Sequence, residues 1–244
     1  MNRTRVRQIV RALINEALIK ETVGDPVIQG VLETIIKSDD IGVEITHKSG
    51  RLVDFTVVRY NEKKTLSDED SAGDLRFSMN SVANKQVLSR LELLKSQRNG
   101  PCLGAWEVST AFTYDPGKKW GRFLYDVAME KLSLIMSDRN TVSKFARSIW
   151  SSIRSRGDVD RVQLDDLYDT LTPETDADNC NIAPWGVIEI PGKDFDHDPG
   201  YLRSEEYINR LRTGDLSAAY AKKGGETPVI DALSRANKLK ETGS

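Results

Sequence analysis

Cysteine and histidine are scarce in this chain: 244 residues hold two of each, Cys102, Cys180, His47 and His197. At such wide spacings they make no metal-ligand pattern, and no metal site is expected. A disulfide scaffold is not expected at this length either. Net charge is nearly absent, −2 from 35 basic and 37 acidic side chains, so no global basic field argues for nucleic acid. Long apolar runs are missing, and nothing approaches the length needed to cross a bilayer. The N-terminus is basic but never becomes a continuous apolar core, so no secretory signal is read there. These absences together point to a reducing, cytoplasm-like compartment.

What is present suits a soluble folded chain. It is 39% hydrophobic and 30% charged, within the range of globular domains and long enough for one sizeable core or two small ones. No internal repeat and no low-complexity tract interrupts it.

Residues 3–20 read as a basic amphipathic helix. Val6, Ile9, Val10, Leu13, Ile14, Ala17 and Leu18 form one stripe, and Arg3, Arg5, Arg7 and Arg11 crowd the polar side. Such a helix either docks on an acidic partner or anionic surface, or packs on its own domain with a solvated arginine face. Gly24-Asp25-Pro26 breaks it, and Val27 to Ile36 give a second helical stripe, so 1–38 are expected to form a helical hairpin. Val43–His47 and Leu52–Tyr60 read as a β-hairpin around Ser49-Gly50. Residues 61–74 read as a charged loop. Val82–Ser96 reads as a helix with Val87, Leu88, Leu91 and Leu94 inward.

The most informative stretch runs from Cys102 to Leu132. Trp106 to Tyr114 is rich in aromatic and β-branched residues with a period near two, as in a strand. Asp115-Pro116-Gly117 stops it. Lys118-Lys119-Trp120-Gly121-Arg122 then leads into apolar residues at Phe123, Leu124, Val127, Ala128 and Leu132, a helical face. A basic, glycine-bearing turn thus meets a helix N-terminus, where N–H groups and the positive dipole end suit a phosphate. A plain strand–helix turn with solvated lysines has the same pattern.

Leu134-Ile135-Met136 is expected to be a short strand. Asn140 or Thr141 would cap a helix carrying Phe145, Ala146, Ile149, Trp150 and Ile153 inward. Val162–Leu171 is an acidic helix or turn, Thr172–Asn181 irregular, and Trp185–Ile190 a last strand. Beyond Lys193 the apolar faces thin, so 193–244 are expected to be a polar appendage.

Strand, glycine turn, helix, short strand, helix is the order of the GNAT superfamily of acyl-CoA-dependent N-acyltransferases, and this stretch resembles it. Pro116, Lys119 and Gly121 occupy the positions of the family's Arg/Gln, Gly and Gly/Ala turn residues. Ser143, Ala146, Ile149 and Trp150 match the spacing of its downstream Asn–Ala–apolar–Tyr motif. Trp150 replaces a tyrosine that often protonates the departing thiolate, and Lys119 replaces a glycine that lets the backbone approach the pyrophosphate. The resemblance covers roughly residues 100–156, and is nearest to GNAT-like proteins of tailed bacteriophages, which places the protein in the host cytoplasm or the virion.

The fold the resemblance implies is α/β: a mixed, mostly antiparallel sheet flanked by helices over 39–192, with the hairpin before it and the appendage after it. The cofactor it implies is acetyl-CoA or CoA. The backbone of Phe112, Thr113 and Tyr114 would pair with the pantetheine arm. Gly117, Lys118, Lys119, Trp120, Gly121 and Arg122 would cap the pyrophosphate. Glu107 is the candidate base, against the plainer reading of a solvent-facing strand glutamate. Three classes stay open: an active N-acetyltransferase with degenerate motifs, a GNAT-fold virion or structural protein that has lost its chemistry, and an unrelated α/β interaction protein. A protein partner, such as a virion protein, is expected to meet the N-terminal helix.

Overall fold

The structure, a computed structural model, describes residues 24–60, 85–95, 99–139, 142–181 and 204–243. The basic helix expected at 3–20, the loop at 61–74, the caps Asn140 and Thr141 and the strand at 185–190 lie outside these residues.

Helix α1 is Pro26–Lys37. Asp25 caps it, its Oδ1 accepting from the Val27 N–H at 2.8 Å and the Ile28 N–H at 3.3 Å. Pro26 fills a first-turn position where its missing N–H costs nothing. Ile28, Val31, Leu32 and Ile35 recur at helical spacing and are buried. The hairpin follows as expected: β1 (Ile41–Ser49) and β2 (Leu52–Tyr60) pair antiparallel from Ile41↔Arg59 to Ser49↔Leu52.

The helix expected over 82–96 is instead a strand, β3 (Lys85–Leu94). Ser89, Leu91 and Leu93 are buried, while Arg90 and Glu92 between them are not. Leu88, Leu91 and Leu94 recur every three residues, which imitates a helix. The segment instead lies between β2 and β4 in the sheet, and its charges are met across it: the Arg90 guanidinium donates to Asp54 at 3.0 and 2.8 Å, and Lys48 reaches Asp54 at 2.5 Å and Glu92 at 3.2 Å. Such cross-strand pairs need alternate residues of a sheet face.

The next elements are β4 (Trp106–Thr113), α2 (Trp120–Leu132), β5 (Ile135–Met136), α3 (Lys144–Arg154) and β6 (Val159–Gln163). After them come α4 (Glu205–Thr213), β7 (Ala218–Lys222), α5 (Pro228–Arg235) and β8 (Leu239–Thr242). The strands form one mixed, mostly antiparallel sheet in the order β6-β7-β5-β4-β3-β2-β1-β8. Its parallel pairs include β4 with β5 and β1 with β8.

The expected appendage is therefore part of the sheet. β7 lies between β5 and β6, and Ala218, Ala219 and Tyr220 are fully buried. β8 pairs with β1 from Val43↔Leu239 to Thr46↔Thr242. The thin apolar faces are real but sufficient: α4 buries Tyr207 and Leu211, and α5 buries Val229, Ala232 and Leu233.

The chain divides into two compact units. One holds 1–92, 110–128 and 227–244, the other 93–109 and 129–226. In the first, Phe55, Ile45, Leu32, Leu124 and Val127 belong to the buried core. In the second, Trp150 of α3 stacks on Tyr220 with ring centroids 5.4 Å apart. Phe145, expected in the core, is 85% exposed. Ser143 caps α3 through the Ala146 N–H at 3.2 Å, so Phe145 falls in the first turn, at the edge of the stripe completed by Trp150 and Ile153.

Candidate functional site

β4 is paired with β5 at only two positions, Trp106↔Ile135 and Glu107↔Met136. Among the described residues no strand continues that ladder, because β5 is two residues long. Beyond it Ser109, Thr110 and Ala111 are exposed and Phe112 and Thr113 half-buried. On the other side the Tyr114 N–H donates to the Leu88 carbonyl at 3.0 Å, which holds the end of β4 in place. Among the described residues, then, no strand pairs with the second half of β4 on its β5 side.

The turn follows directly. The Lys118 N–H donates to the Asp115 carbonyl at 3.2 Å, closing a short 3₁₀ turn over Pro116–Lys118. Lys119 takes φ 60°, the left-handed conformation that glycine adopts without strain. The Phe123 N–H then donates to the Lys119 carbonyl at 3.2 Å, the first turn of α2.

The predicted cofactor residues separate into two groups. Tyr114, Gly117, Lys118 and Lys119 are exposed. Phe112 meets Tyr114 edge-on, with centroids 5.2 Å apart. Trp120 is buried and faces the core. Arg122 lies 2.5 Å from the buried Asp25 carboxylate, which also caps α1, so its charge is matched within the fold. Gly121 is needed for packing: a Cβ there would lie 2.8 Å from the Thr113 Oγ1. That hydroxyl is itself held 2.8 Å from the Ser89 Oγ, which donates to the Phe112 carbonyl at 3.0 Å.

Glu107 is not solvent-facing. It is 5% exposed; its Oε1 accepts the Arg139 N–H at 2.9 Å and its Oε2 accepts the Asn99 amide. Arg139 is buried too, and its guanidinium donates to the Ser137 carbonyl at 2.9 Å and the Ser137 hydroxyl at 2.5 Å. Burial lowers the Arg139 guanidinium to about 10, with the negative charges of Glu107 and Asp138 opposing the shift. Sequence reading missed Asn99, since nothing local marks an asparagine as the partner of a strand carboxylate.

Two further features were not read from the sequence. Cys102 and Cys180 are joined by a disulfide, buried in a cluster with Ala105, Met136, Leu164 and Ala219. This departs from the expectation of unpaired, reduced cysteines; their 78-residue separation hid the pairing. The acidic stretch after β6 is organised by two buried carboxylates. Asp165 accepts from the N–H groups of Asp166, Leu171 and Thr172, and Asp166 from those of Tyr168 and Thr170 and from the Tyr207 hydroxyl at 2.9 Å. These carboxylates serve the loop, and among the described residues no acidic, histidine or cysteine cluster suits a metal ion.

No family model, no curated protein and no solved structure matches this chain.

Proposed function

We propose that this chain is a GNAT-like, acyltransferase-fold protein that binds CoA or acetyl-CoA along the β5-side edge of β4 and over the 113–122 turn. One observation carries the reading. β4 runs through a left-handed basic turn into α2 and then into a parallel β5 that ends after two pairs. Among the described residues no strand pairs with β4 beyond Glu107 on that side, where pantetheine amides would run, and a helix N-terminus for phosphate follows at once. Lys118 and Lys119 supply the cationic charge; Arg122 is not counted, because Asp25 already holds it.

Transfer to an amine is weak or absent in this reading. It would require an amine to attack the thioester carbonyl, a base to take its proton and an acid to protonate the thiolate. Trp150 stands where the family's phenol acid is expected, is buried against Tyr220, and has no titratable hydroxyl. The Glu107 carboxylate already accepts two donors. The same observations favour the second reading, a catalytically silent GNAT-fold virion or structural component. A phage setting, and a protein partner at residues 3–20, rest on the resemblance and on the arginines of that segment.

Calorimetric titration with CoA and acetyl-CoA at low salt, with mass analysis for co-purified CoA, tests the proposal. Binding that weakens with salt supports it. No binding at millimolar ligand and low salt refutes it. A gain in turnover in Trp150→Tyr without a change in affinity would separate lost chemistry from lost binding.

A further inference from the structure

The segment before β4 is held in an unusual backbone. Gly100, Cys102, Leu103 and Gly104 all have positive φ, at 91°, 48°, 54° and 71°. Glycine accepts this freely, but Cys102 and Leu103 do so at a steric cost and need their surroundings to enforce it. The enforcing contacts all come from one place. The Cys102 N–H donates to the Asn179 carbonyl at 3.0 Å, the Asn181 N–H to the Asn99 carbonyl at 2.6 Å, and the disulfide joins Cys102 to Cys180 between them. Gly100 is pressed so closely on this strip that a Cβ would lie 2.5 Å from the Asn179 carbonyl oxygen. The same segment delivers Asn99 to Glu107.

We infer that the Cys102–Cys180 disulfide is a redox-operated clasp: oxidised, it fixes residues 99–104 and the Asn99 amide on Glu107; reduced, it releases both. The electron donor is a dithiol. Its two thiols become one disulfide, the Cys102–Cys180 S–S bond breaks, and each cysteine gains one hydrogen. Both cysteines are buried, at 1% and 0% exposure, but Leu103 and Gly104 beside Cys102 are exposed. In this inference a dithiol reaches the bond as the 100–104 turn opens, and that opening relaxes two left-handed side-chain-bearing residues. Reduction also removes the tie that closes the 78-residue span from Cys102 to Cys180, leaving only backbone hydrogen bonds, within the turn and to residues 179–181, to hold it. This inference does not depend on CoA binding.

The test is amide hydrogen exchange of the full chain before and after dithiothreitol, with alkylation and intact-mass analysis to count thiols. The oxidised protein should take up no alkyl group and the reduced protein two. Exchange should then quicken several-fold at 99–107 and 176–181 while α1, β1 and β2 keep their protection, and reoxidation should restore the first pattern. The double variant Cys102→Ser, Cys180→Ser should show the reduced pattern without reductant. The clasp is overturned if native protein already alkylates, if reduction requires denaturant, if reduction leaves exchange unchanged, or if protection is lost throughout β1 and β2. The last result would make the bond a structural staple.

Discussion

The Asp25 carboxylate serves two elements at once: Oδ1 caps α1, and Oδ2 lies 2.5 Å from the Arg122 guanidinium of α2. One buried side chain thus fixes a helix start and neutralises the arginine nearest the candidate phosphate turn. Asp25→Ala removes both roles and should cost about 1–3 kcal/mol in urea unfolding. Asp25→Asn keeps a capping oxygen and should cost less. If Arg122 is a structural cation, Arg122→Ala will lower stability more than CoA affinity, whereas Lys118→Ala with Lys119→Ala will do the reverse.

Gly121 is required by the Thr113 hydroxyl, which would sit 2.8 Å from any Cβ. Gly121→Ala should therefore destabilise by about 1–3 kcal/mol, as overpacking does. Adding Thr113→Ala should recover part of that loss, a coupling that a double-mutant cycle reads directly. Simple additivity would show that the contact is not what excludes a side chain.

Phe145 and Trp150 lie five residues apart on α3 with opposite fates. Phe145→Ala should change stability by no more than about 0.5 kcal/mol, since the ring is 85% exposed. Trp150→Ala empties a buried site stacked on Tyr220 and should cost about 3–5 kcal/mol. Chemical denaturation of the two variants decides whether α3 faces inward as described.

Acid should destabilise the fold through Asp158. Burial opposes its ionisation, but hydrogen bonds from Arg156 and from the buried Lys222 outweigh it and hold the carboxyl well below the usual carboxylate range. A carboxyl depressed in the folded state contributes stability above its unfolded value, near pH 4, and loses it as pH falls below that. Melting temperature followed from about pH 5 to pH 2 should fall more steeply for the native chain than for Asp158→Asn. Equal slopes would remove Asp158 from the acid transition.

The parts of this fold that were legible in sequence are those specified locally. Alternation over Trp106–Thr113, the Asp115-Pro116-Gly117 stop and the helical spacing from Trp120 marked β4, the turn and α2 within a residue or so of their ends. Asp25-Pro26 marked the start of α1 in the same way. β3 reads as a helix because three leucines recur every three residues, and the neighbours that make it a strand, β2 and β4, lie outside its own sequence. β7 and β8 were hidden because Ala218-Ala219 carries little strand signal, and β8 finds β1 almost 200 residues away in sequence, the two threonines facing across that pair being 196 apart. The candidate site shows the same division. Its turn and lysines were legible, but the partner of Arg122 is 97 residues distant, and burial of Glu107 depends on Asn99 and Arg139 converging on it from either side in sequence.

Amide hydrogen exchange of the full chain with and without CoA, resolved along residues 105–125, tests the central claim most directly. The account predicts added protection at the amides of 110–113, along the strand edge proposed to receive pantetheine, and at 117–122, where the helix N-terminus meets phosphate. It also predicts that protection over 117–122 weakens at high salt. Protection confined to the cleft lined by Tyr60, Lys238 and Lys240 beside β1, or absent everywhere at millimolar CoA, would contradict it.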